Sequence, residues 1–446
     1  MRFVVRPSGP LRGTVRVAGD KSVAHRWLIL AATGQGSSEL DELPRAHDVR
    51  STAACLVRLT ADQPSLEAWL RGEPGPVRID GRGWTGLGQP EWPLDCGNSG
   101  TTMRLLTGVL AGRPFACALE GDESLAVRPM ERVAEPLREM GAEVHTEDGH
   151  APLQVIGGDL RGIPYVLPVP SAQVKGAVLL AGVQADGETV VDESAFWEAQ
   201  RDHEEEPLPP LRDHTERALS ALGGPVSAEG GRIVVRAFQH EGFEAKVPGD
   251  ASSAVLLLAA AAIVEGSDVE VRDVGVNPSR TGFLRRMSGE MAVAGEEQRE
   301  PVGAMTMRWP GDRSGFRIPA SELPPIVDEV PALAALTCHL DGESRFEGAG
   351  ELRIKESDRL GGLVEGIRGL GGEADVEGDD LVVAGGGLRG GEADAHGDHR
   401  LAMGLAVAAL GGERESVIWG AEWVSVSFPR FGEALRSLGA DIEEFR

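Results

Sequence analysis

Lysines, arginines and carboxylates recur in this chain where a strand-like segment changes into a helix-like one. Two carboxylates, Asp328 and Glu356, lie among the last of these cations. The cations are Lys21, Arg26, Arg104, Arg128, Lys175, Arg212, Lys355, Arg359 and Arg400. Cations at helix N-termini suit a ligand with several phosphate or carboxylate groups, and paired carboxylates suit proton transfer. The pattern therefore predicts a site that binds anions and moves protons.

Lysine is scarce, since the chain has 44 Lys and Arg residues in total and its lysines are Lys21, Lys175, Lys246 and Lys355. Three of them, all but Lys246, fall in the charged turns. A compact ammonium group on a flexible stem differs chemically from a planar guanidinium group. We therefore expect a specific role for the turn lysines, although chance within a codon bias is the alternative explanation.

The charged turns belong to a repeated strand–turn–helix unit. Residues 17–32, VAGDKSVAHRWLILAA, and residues 247–262, VPGDASSAVLLLAAAA, are two copies of the same pattern. Looser copies begin near residues 98, 170, 328 and 397. Repetition of one supersecondary unit predicts a repeated architecture with six helix-opening turns. The helix after residue 250 is apolar nearly all round, which predicts that it is buried.

A second recurring sequence pattern joins the end of a predicted helix to a strand through a glycine. It occurs at Gly141, Gly223, Gly371 and Gly439. Glycine adopts the left-handed conformation that ends a helix before the chain reverses. The four positions therefore predict helix ends followed by strands.

The composition of the 446 residues is that of a globular protein, with 41% hydrophobic and 26% charged residues. A formal net charge of −26 argues against nucleic acid as a partner. Residues 1–16 lack the apolar segment of a signal peptide, and no stretch is long enough to span a membrane, so we expect a cytoplasmic protein. The four cysteines lack C-x-x-C spacing, which gives no indication of a disulfide framework or a zinc site.

Asp48 and the segment of residues 191–211 each leave an alternative open. Asp48 near the start of a predicted helix suits the helix dipole or a functional role. Residues 191–211 are acidic and contain prolines, so we expect an inserted, exposed loop. His203 and the glutamates after it could bind a metal, but a solvated charge run is favoured.

The turn at Lys21 is not a P-loop, because Asp20 precedes the lysine.

Seven motifs follow one another along the chain: GDKSVAHR, GNSGTTMR, PSAQVKGA, RDHTER, VDEVPALAAL, RIKESDRL and HGDHRLAM. In this order and spacing they resemble the 5-enolpyruvylshikimate-3-phosphate (EPSP) synthase family of carboxyvinyltransferases, and the resemblance runs from about Arg12 to Phe431. It implies an α/β (α+β) fold of two domains, an inverse α/β barrel of six βαβαββ repeats, three per domain. One domain would comprise residues 21–243 and the other residues 1–20 plus 244–446, with a hinge near 20–21 and 243–247.

The resemblance also implies a reaction and roles for single residues. Members transfer the enolpyruvyl group of phosphoenolpyruvate to the 5-hydroxyl of shikimate 3-phosphate and release phosphate, in the shikimate pathway to chorismate and the aromatic amino acids. Asp328 would be the base for the hydroxyl, Glu356 the proton shuttle at the methylene carbon, and Lys21 a further proton donor. The residues implied for shikimate 3-phosphate are Lys21, Ser22, Arg26, Ser171, Ala172, Gln173, Arg212, Asp328 and Lys355. Those implied for phosphoenolpyruvate are Lys21, Gly100, Thr101, Arg128, Gln173, Arg359 and Arg400.

No metal or organic cofactor is implied, and relatives are commonly monomeric. The partners would be the two small-molecule substrates, without nucleic acid or membrane. Glyphosate occupies the phosphoenolpyruvate site in this family, and Gly100 lacks a methyl group that would crowd it, so we expect sensitivity.

Leu211 and the 191–211 segment depart from the family pattern. They leave open a paralogous carboxyvinyltransferase with a different acceptor, or a non-catalytic anion-binding relative. UDP-N-acetylglucosamine 1-carboxyvinyltransferase is disfavoured, because Ser22 rather than Asn follows Lys21 and the 121–128 loop lacks a cysteine.

Overall fold

The structure, a computed structural model, describes residues 1–201, 211–311 and 314–446. These residues divide into two compact units. Unit 1 comprises Met1–Ala18, Gly249–Gly295 and Pro301–Arg446, and unit 2 comprises Gly19–Pro248 and Glu296–Glu300. The sequence-based limits of the domains and of the hinge stay predictions.

The described residues form 23 strands. In chain order they are β1 (Arg2–Val5), β2 (Arg12–Val15), β3 (Gln35–Asp41), β4 (Val77–Arg82), β5 (Leu94–Asp95), β6 (Ala116–Glu120), β7 (Glu143–Glu147), β8 (His150–Ile156), β9 (Pro164–Val166), β10 (Glu188–Asp192), β11 (Val226–Glu229), β12 (Arg232–Arg236), β13 (Glu244–Lys246), β14 (Asp268–Gly275), β15 (Glu290–Glu297), β16 (Glu300–Arg308), β17 (Arg317–Ile318), β18 (Glu343–Phe346), β19 (Glu373–Glu377), β20 (Asp380–Ala384), β21 (Glu392–Asp394), β22 (Ser416–Trp419) and β23 (Ile442–Phe445).

The same residues form 16 α-helices and four short 3₁₀ helices. The α-helices are α1 (Lys21–Thr33), α2 (His47–Leu59), α3 (Pro64–Arg71), α4 (Gly100–Leu110), α5 (Glu123–Ala126), α6 (Glu131–Glu139), α7 (Ala172–Gly182), α8 (Ser194–Arg201), α9 (His214–Ala221), α10 (Ala251–Ile263), α11 (Phe283–Met287), α12 (Leu323–Ile326), α13 (Val330–Thr337), α14 (Arg359–Gly369), α15 (His399–Ala409) and α16 (Phe431–Ser437). The 3₁₀ helices are Trp84–Gly86, Val327–Glu329, Ala349–Ile354 and Ala421–Val426.

Six small sheets arrange the described strands, three in each unit. Unit 1 has the orders β21-β22-β1-β23, β15-β16-β14-β2 and β17-β18-β20-β19, and unit 2 has β11-β12-β10-β9, β13-β3-β4 and β5-β6-β8-β7. In four sheets the parallel pair, such as β5 with β6 or β9 with β10, is joined by a helix that a charged turn opens. Parallel strands need such a crossover, so in these four sheets the repeated sequence unit supplies it; α1 and α10 instead join strands of different sheets.

All six predicted helix-opening turns are confirmed. Helices α1, α4, α7, α10, α13 and α15 begin there. Five of them are capped by a side chain: Asp20, Ser99, Ser171, Asp250 and Asp398 each accept a backbone N–H of the first turn. Such caps satisfy N–H groups that have no partner inside the helix.

The four predicted glycine helix ends are also confirmed. Gly141, Gly223, Gly371 and Gly439 have φ values of 111°, 81°, 80° and 104°. Each follows a helix and precedes a strand, and a side chain at these φ values would be strained. Helix α10 lies in the core of unit 1 with all thirteen residues buried, as its apolar sequence predicts.

The 191–211 segment differs from the loop expected there. Its first residues complete β10, and Ser194–Arg201 form α8. The Asp192 carboxylate accepts the Ser194 amide at 2.9 Å, and Phe196 packs against the core of unit 2. Residues 202–210, which include His203, lie outside the described residues. Within 1–201, 211–311 and 314–446, no helix is both long and apolar enough to cross a membrane.

Candidate active site

The first turn of α1 holds Lys21 against Asp48. The Lys21 ammonium lies 2.7 Å from Asp48 Oδ2, and each side chain is 15% exposed. Asp48 lies in the first turn of α2, so the pair joins the starts of two helices. Asp48 therefore lies in the first turn of a helix and also pairs with a predicted site lysine, so both interpretations of this residue stay open.

Arg26, one turn further along α1, is buried and faces α9. Its Nε donates to Thr215 Oγ1 at 2.8 Å, and its Nη1 donates to the Ser22 carbonyl at 2.7 Å. Burial lowers the pKa of Arg26 to about 10, while Glu216 opposes this shift and the positive charge of Arg212 adds to it. Ser22, Arg26 and Arg212, all predicted to bind one substrate, thus lie in one neighbourhood of unit 2.

A second cluster in unit 2 brings together the starts of α4 and α7. Gln173 Nε2 donates to Thr101 Oγ1 at 2.9 Å. The Arg104 guanidinium donates to the Gln173 side-chain oxygen and, at 3.2 Å, to the Pro129 carbonyl. Arg104 was one of the predicted cations, but the resemblance gave it no role.

Gly100, the first residue of α4, lies close to the guanidinium groups of Arg104 and Arg128. A Cβ at this position would lie 2.8 Å from Arg104 Nη1 and 3.3 Å from Arg128 Nη1. A real Cβ tolerates the first distance only if the neighbour moves. The structure therefore brings together four of the five residues of unit 2 that are implied for phosphoenolpyruvate, namely Gly100, Thr101, Arg128 and Gln173; the fifth, Lys21, forms the ion pair with Asp48.

Ser171 and Ala172 form the start of α7. Ser171 Oγ accepts the Val174 amide at 3.4 Å, and Ala172 is the first helical residue. The first N–H groups of a helix point outward along its axis and favour an anion. This placement agrees with the backbone role that the resemblance implies for Ala172.

Lys175 corrects the inference drawn from scarce lysines. Its ammonium is 1% exposed and lies 2.7 Å from Glu216 and 2.9 Å from Glu193. An ammonium group between two buried carboxylates is an internal ion cluster, not a cation presented to a ligand. The sequence missed it because the acidic stretch after Asp192 was interpreted as a solvated loop.

In unit 1 the candidate base Asp328 lies in the 3₁₀ helix Val327–Glu329. Its Oδ1 is 3.9 Å from the Lys355 ammonium and 3.6 Å from Arg359 Nη1. Arg400 Nη1 donates to the Asp328 backbone carbonyl at 2.9 Å. Two predicted cations therefore lie beside the Asp328 carboxylate, and a third contacts its backbone carbonyl.

Arg359 links the other two carboxylates of this cluster. Its Nε lies 2.7 Å from Asp398 Oδ2, and its Nη2 forms an ion pair with Glu356. Desolvation is the largest effect and opposes the shift, yet Asp398, Glu356 and Asp328 together raise the pKa of Arg359. The guanidinium therefore stays charged although it is 1% exposed.

The pKa of Lys355 is lowered, whereas that of Arg359 is raised. Desolvation lowers the pKa of Lys355, and the negative charges of Asp328 and Glu351 only partly offset that effect. Lys355 precedes α14, and Arg359 begins that helix. The two cations nevertheless reach the same carboxylate.

The two units offer different chemistry. In unit 2, Lys21, Arg26, Arg128 and Arg212 would favour an anionic ligand, and in unit 1 Asp328 and Glu356 can exchange protons. No group of three His, Cys, Asp or Glu residues able to hold a metal occurs in the described part of the chain.

The model of the EPSP synthase (3-phosphoshikimate 1-carboxyvinyltransferase) family matches residues 5–435. The chain belongs to this family. A 3-phosphoshikimate 1-carboxyvinyltransferase of Acidithiobacillus ferrooxidans is 42% identical over 99% of both chains. One of Halorhodospira halophila is 44% identical over 98% of this chain and 96% of its own.

Solved EPSP synthase structures show the same fold. The structure of an EPSP synthase from Acinetobacter baumannii matches with a TM-score of 0.82 and 35% identity, and the match covers 100% of both chains. The sequence-based predictions of the EPSP synthase family, of its two-domain α/β fold and of an enolpyruvyl-transferring enzyme are thereby confirmed. The matched range also contains every predicted site residue.

Proposed function

We propose that the protein transfers the enolpyruvyl group of phosphoenolpyruvate to the 5-hydroxyl of shikimate 3-phosphate, giving 5-enolpyruvylshikimate 3-phosphate and phosphate. The family match over residues 5–435 supports the reaction. The observation that carries the mechanism is the Asp328 carboxylate beside Lys355 and Arg359. The positive charges beside this carboxylate would attract anionic substrates to it.

Shikimate 3-phosphate carries a phosphate, a carboxylate and hydroxyl groups. Arg26 and Arg212 supply neighbouring positive charges for its anionic groups, and the capped start of α7 supplies backbone N–H groups. The full set that we assign to it is Lys21, Ser22, Arg26, Ser171, Ala172, Gln173, Arg212, Asp328 and Lys355.

Phosphoenolpyruvate carries a phosphate and a carboxylate on a small carbon skeleton. The Gln173–Thr101 hydrogen bond fixes two of its polar contacts, and Gly100 leaves the approach to Arg128 open. The set that we assign to it is Lys21, Gly100, Thr101, Arg128, Gln173, Arg359 and Arg400.

The reaction needs proton transfers in both directions. A proton adds to the methylene carbon of phosphoenolpyruvate, and the 5-hydroxyl attacks C2 while it gives its proton to Asp328. The tetrahedral intermediate then expels phosphate and loses one methyl proton, which restores the double bond. Glu356 shuttles the proton at the methylene carbon, and Lys21 is a further donor.

Leu211 gives no support to a changed acceptor. Its side chain is 2% exposed and belongs to the hydrophobic core of unit 2. The departure from the family pattern at this position is therefore accommodated by core packing. A cytoplasmic location and a monomeric state stay predictions from the sequence.

The Asp328→Asn variant tests the proposed base. We expect it to form product about 10²-fold more slowly or worse at saturating substrates, as is usual for acid–base groups. Asp375→Asn is the matched control, because Asp375 is a 71% exposed carboxylate of unit 1 that pairs with Arg368. Turnover by Asp328→Asn equal to that of the control would contradict the assignment.

A further inference from the structure

A buried arginine from another part of the chain contacts the second copy of the repeated turn. Where the first copy has Lys21 and Arg26, the copy before α10 has Ala251 and Leu256. Arg280, only 3% exposed, reaches this turn instead. Its Nη2 lies 3.2 Å from Asp250 Oδ1 and donates to Ser252 Oγ at 2.6 Å.

The Arg280 cluster extends to Glu329. Ser252 Oγ donates to Glu329 Oε1, and Arg280 Nη2 lies 4.0 Å from the same oxygen. Glu329 is 0% exposed. A buried carboxylate is costly unless it is paired and hydrogen-bonded, so this contact strongly favours one position of Glu329.

Glu329 is the residue that follows Asp328 in the 3₁₀ helix Val327–Glu329. Arg400 Nη1 donates to the Asp328 carbonyl, which belongs to the peptide bond between Asp328 and Glu329. The carboxylate of Asp328 lies near Lys355 and Arg359. A movement of Glu329 would therefore move the backbone that carries the proposed base.

The loop of Arg280 is itself rigidly held. Asn277 accepts the Arg280 amide through its backbone carbonyl at 2.8 Å and the Ser279 amide through its side chain at 2.9 Å. The guanidinium is thus delivered from a fixed turn rather than from a flexible surface side chain. A rigid support of this kind is what precise placement of a reacting group needs.

We propose that Arg280 and Glu329 are positioning residues for Asp328, and that they fix the orientation of its carboxylate toward the 5-hydroxyl of the acceptor. This inference rests on the proposed function of Asp328 as the base. Neither residue touches a reacting atom in this account; Arg280 acts on Glu329, and Glu329 acts on the backbone of Asp328. The competing explanation is that Arg280 only neutralises Asp250 and stabilises the start of α10.

The variants Arg280→Gln, Arg280→Lys and Glu329→Gln distinguish the two explanations. The matched control is Arg113→Gln, since Arg113 is another buried arginine, 5% exposed, whose guanidinium donates to Gln184 at 2.7 Å. Rates are measured on the folded fraction at saturating substrates, with KM for both substrates and the Kd of shikimate 3-phosphate.

We expect Arg280→Gln and Glu329→Gln to lower kcat by about 10- to 100-fold, the effect of misplacing a reacting group by about 1 Å. KM should stay within about twofold of the original value, because the substrate-binding side chains are untouched. Arg280→Lys should recover part of kcat, since it keeps the buried charge. If Arg280→Gln does not fold, Arg280→Lys and Glu329→Gln decide the question alone.

A double variant separates positioning from general damage. In an Asp328→Asn background, adding Glu329→Gln should lower kcat by less than about twofold, because the group that it positions is already gone. A full additional loss would overturn the proposal. The proposal would also be overturned if Asp328→Asn is slow but the kcat of each of the three single variants equals that of Arg113→Gln. Rapid turnover by Asp328→Asn would instead overturn the proposed base.

Discussion

The ammonium of Lys175 and the carboxylate of Glu216 lie 2.7 Å apart, with side chains 1% and 8% exposed. The pair joins the start of α7, which carries Gln173, to α9, which carries the Thr215 partner of Arg26. Glu193 contacts the same ammonium at 2.9 Å. One buried cation thus connects two elements of the candidate site and leaves two carboxylates dependent on it.

Lys175→Met should destabilise the protein severely. It would leave Glu193 and Glu216 buried without a counter-charge, and breaking a buried ion pair costs about 3–5 kcal/mol. The free energy of unfolding in urea measures the loss. Lys246→Met is the control, because Lys246 is exposed on β13 and should change stability by less than about 0.5 kcal/mol. Equal stability of the two variants would contradict the account.

Glu193 should make stability depend on pH. Desolvation is the main cause that raises its pKa from 4.5 to about 7; Lys175 opposes the shift and Glu216 adds to it. Below pH 4.5 the carboxyl group is protonated in both states, so its contribution to stability is fully present. As the pH rises from 4.5 through 7, the unfolded state releases this proton first and the contribution is lost.

The comparison of wild type with Glu193→Gln isolates this effect. The difference in unfolding free energy, wild type minus variant, should fall as the pH rises from 5 to about 7.5 and then level off, because glutamine cannot ionise. Glu229→Gln, at an exposed carboxylate of β11, is the matched control. A constant difference for Glu193→Gln across this range would disprove the predicted titration.

Gly100→Ala should reduce inhibition by glyphosate. The wild-type enzyme should be inhibited at concentrations near the KM for phosphoenolpyruvate, whereas the new Cβ would lie 2.8 Å from Arg104 Nη1. Arg104 is tied to Gln173 and Pro129, so its displacement would disturb the proposed phosphoenolpyruvate site. We expect the inhibitory constant to rise at least about tenfold, which corresponds to about 1.4 kcal/mol.

Gly158→Ala serves as the control for Gly100→Ala, because no heavy atom lies within 4 Å of a Cβ built there. It should leave inhibition unchanged. Uninhibited turnover of the wild type well above the KM for phosphoenolpyruvate would refute the predicted sensitivity. Identical inhibition of wild type and Gly100→Ala would show that this position does not border the inhibitor.

Glu356→Gln should bind both substrates but slow the chemical step by about 10²-fold or more, the usual scale for acid–base groups. Glu356 is held by Arg359, so the amide should occupy nearly the same place without the exchangeable proton. Single-turnover measurements separate chemistry from binding. Glu365→Gln is the control on α14, the helix that follows Glu356 in the chain, as this side chain is 72% exposed. Equal single-turnover rates for the two variants would remove Glu356 from the mechanism.

Local patterns predicted the repeated part of the fold well. The Asp20 and Asp250 turns, and glycines such as Gly371, act within a few residues of their own position, so their sequences report their conformations. The resemblance then placed Asp328, Lys355 and Arg359 in one site, and the structure brings these three side chains together.

The missed features all depend on contacts between distant parts of the chain. Lys175 finds its partners in Glu193 and Glu216, and Arg280 finds Glu329; neither pairing has a local signature. An acidic stretch was therefore interpreted as solvated although its first glutamate is buried. Helix α8 was missed for a related reason, since the packing of Phe196 against the core of unit 2 is visible only in the folded chain.

The most direct test of the account is the release of phosphate from phosphoenolpyruvate in the presence of three separate acceptors. These are shikimate 3-phosphate, unphosphorylated shikimate and UDP-N-acetylglucosamine. We expect rapid release with shikimate 3-phosphate, together with formation of its 5-enolpyruvyl ether, and release at least about 10²-fold slower with the other two. No release with shikimate 3-phosphate, or faster release with another acceptor, would contradict the proposed function.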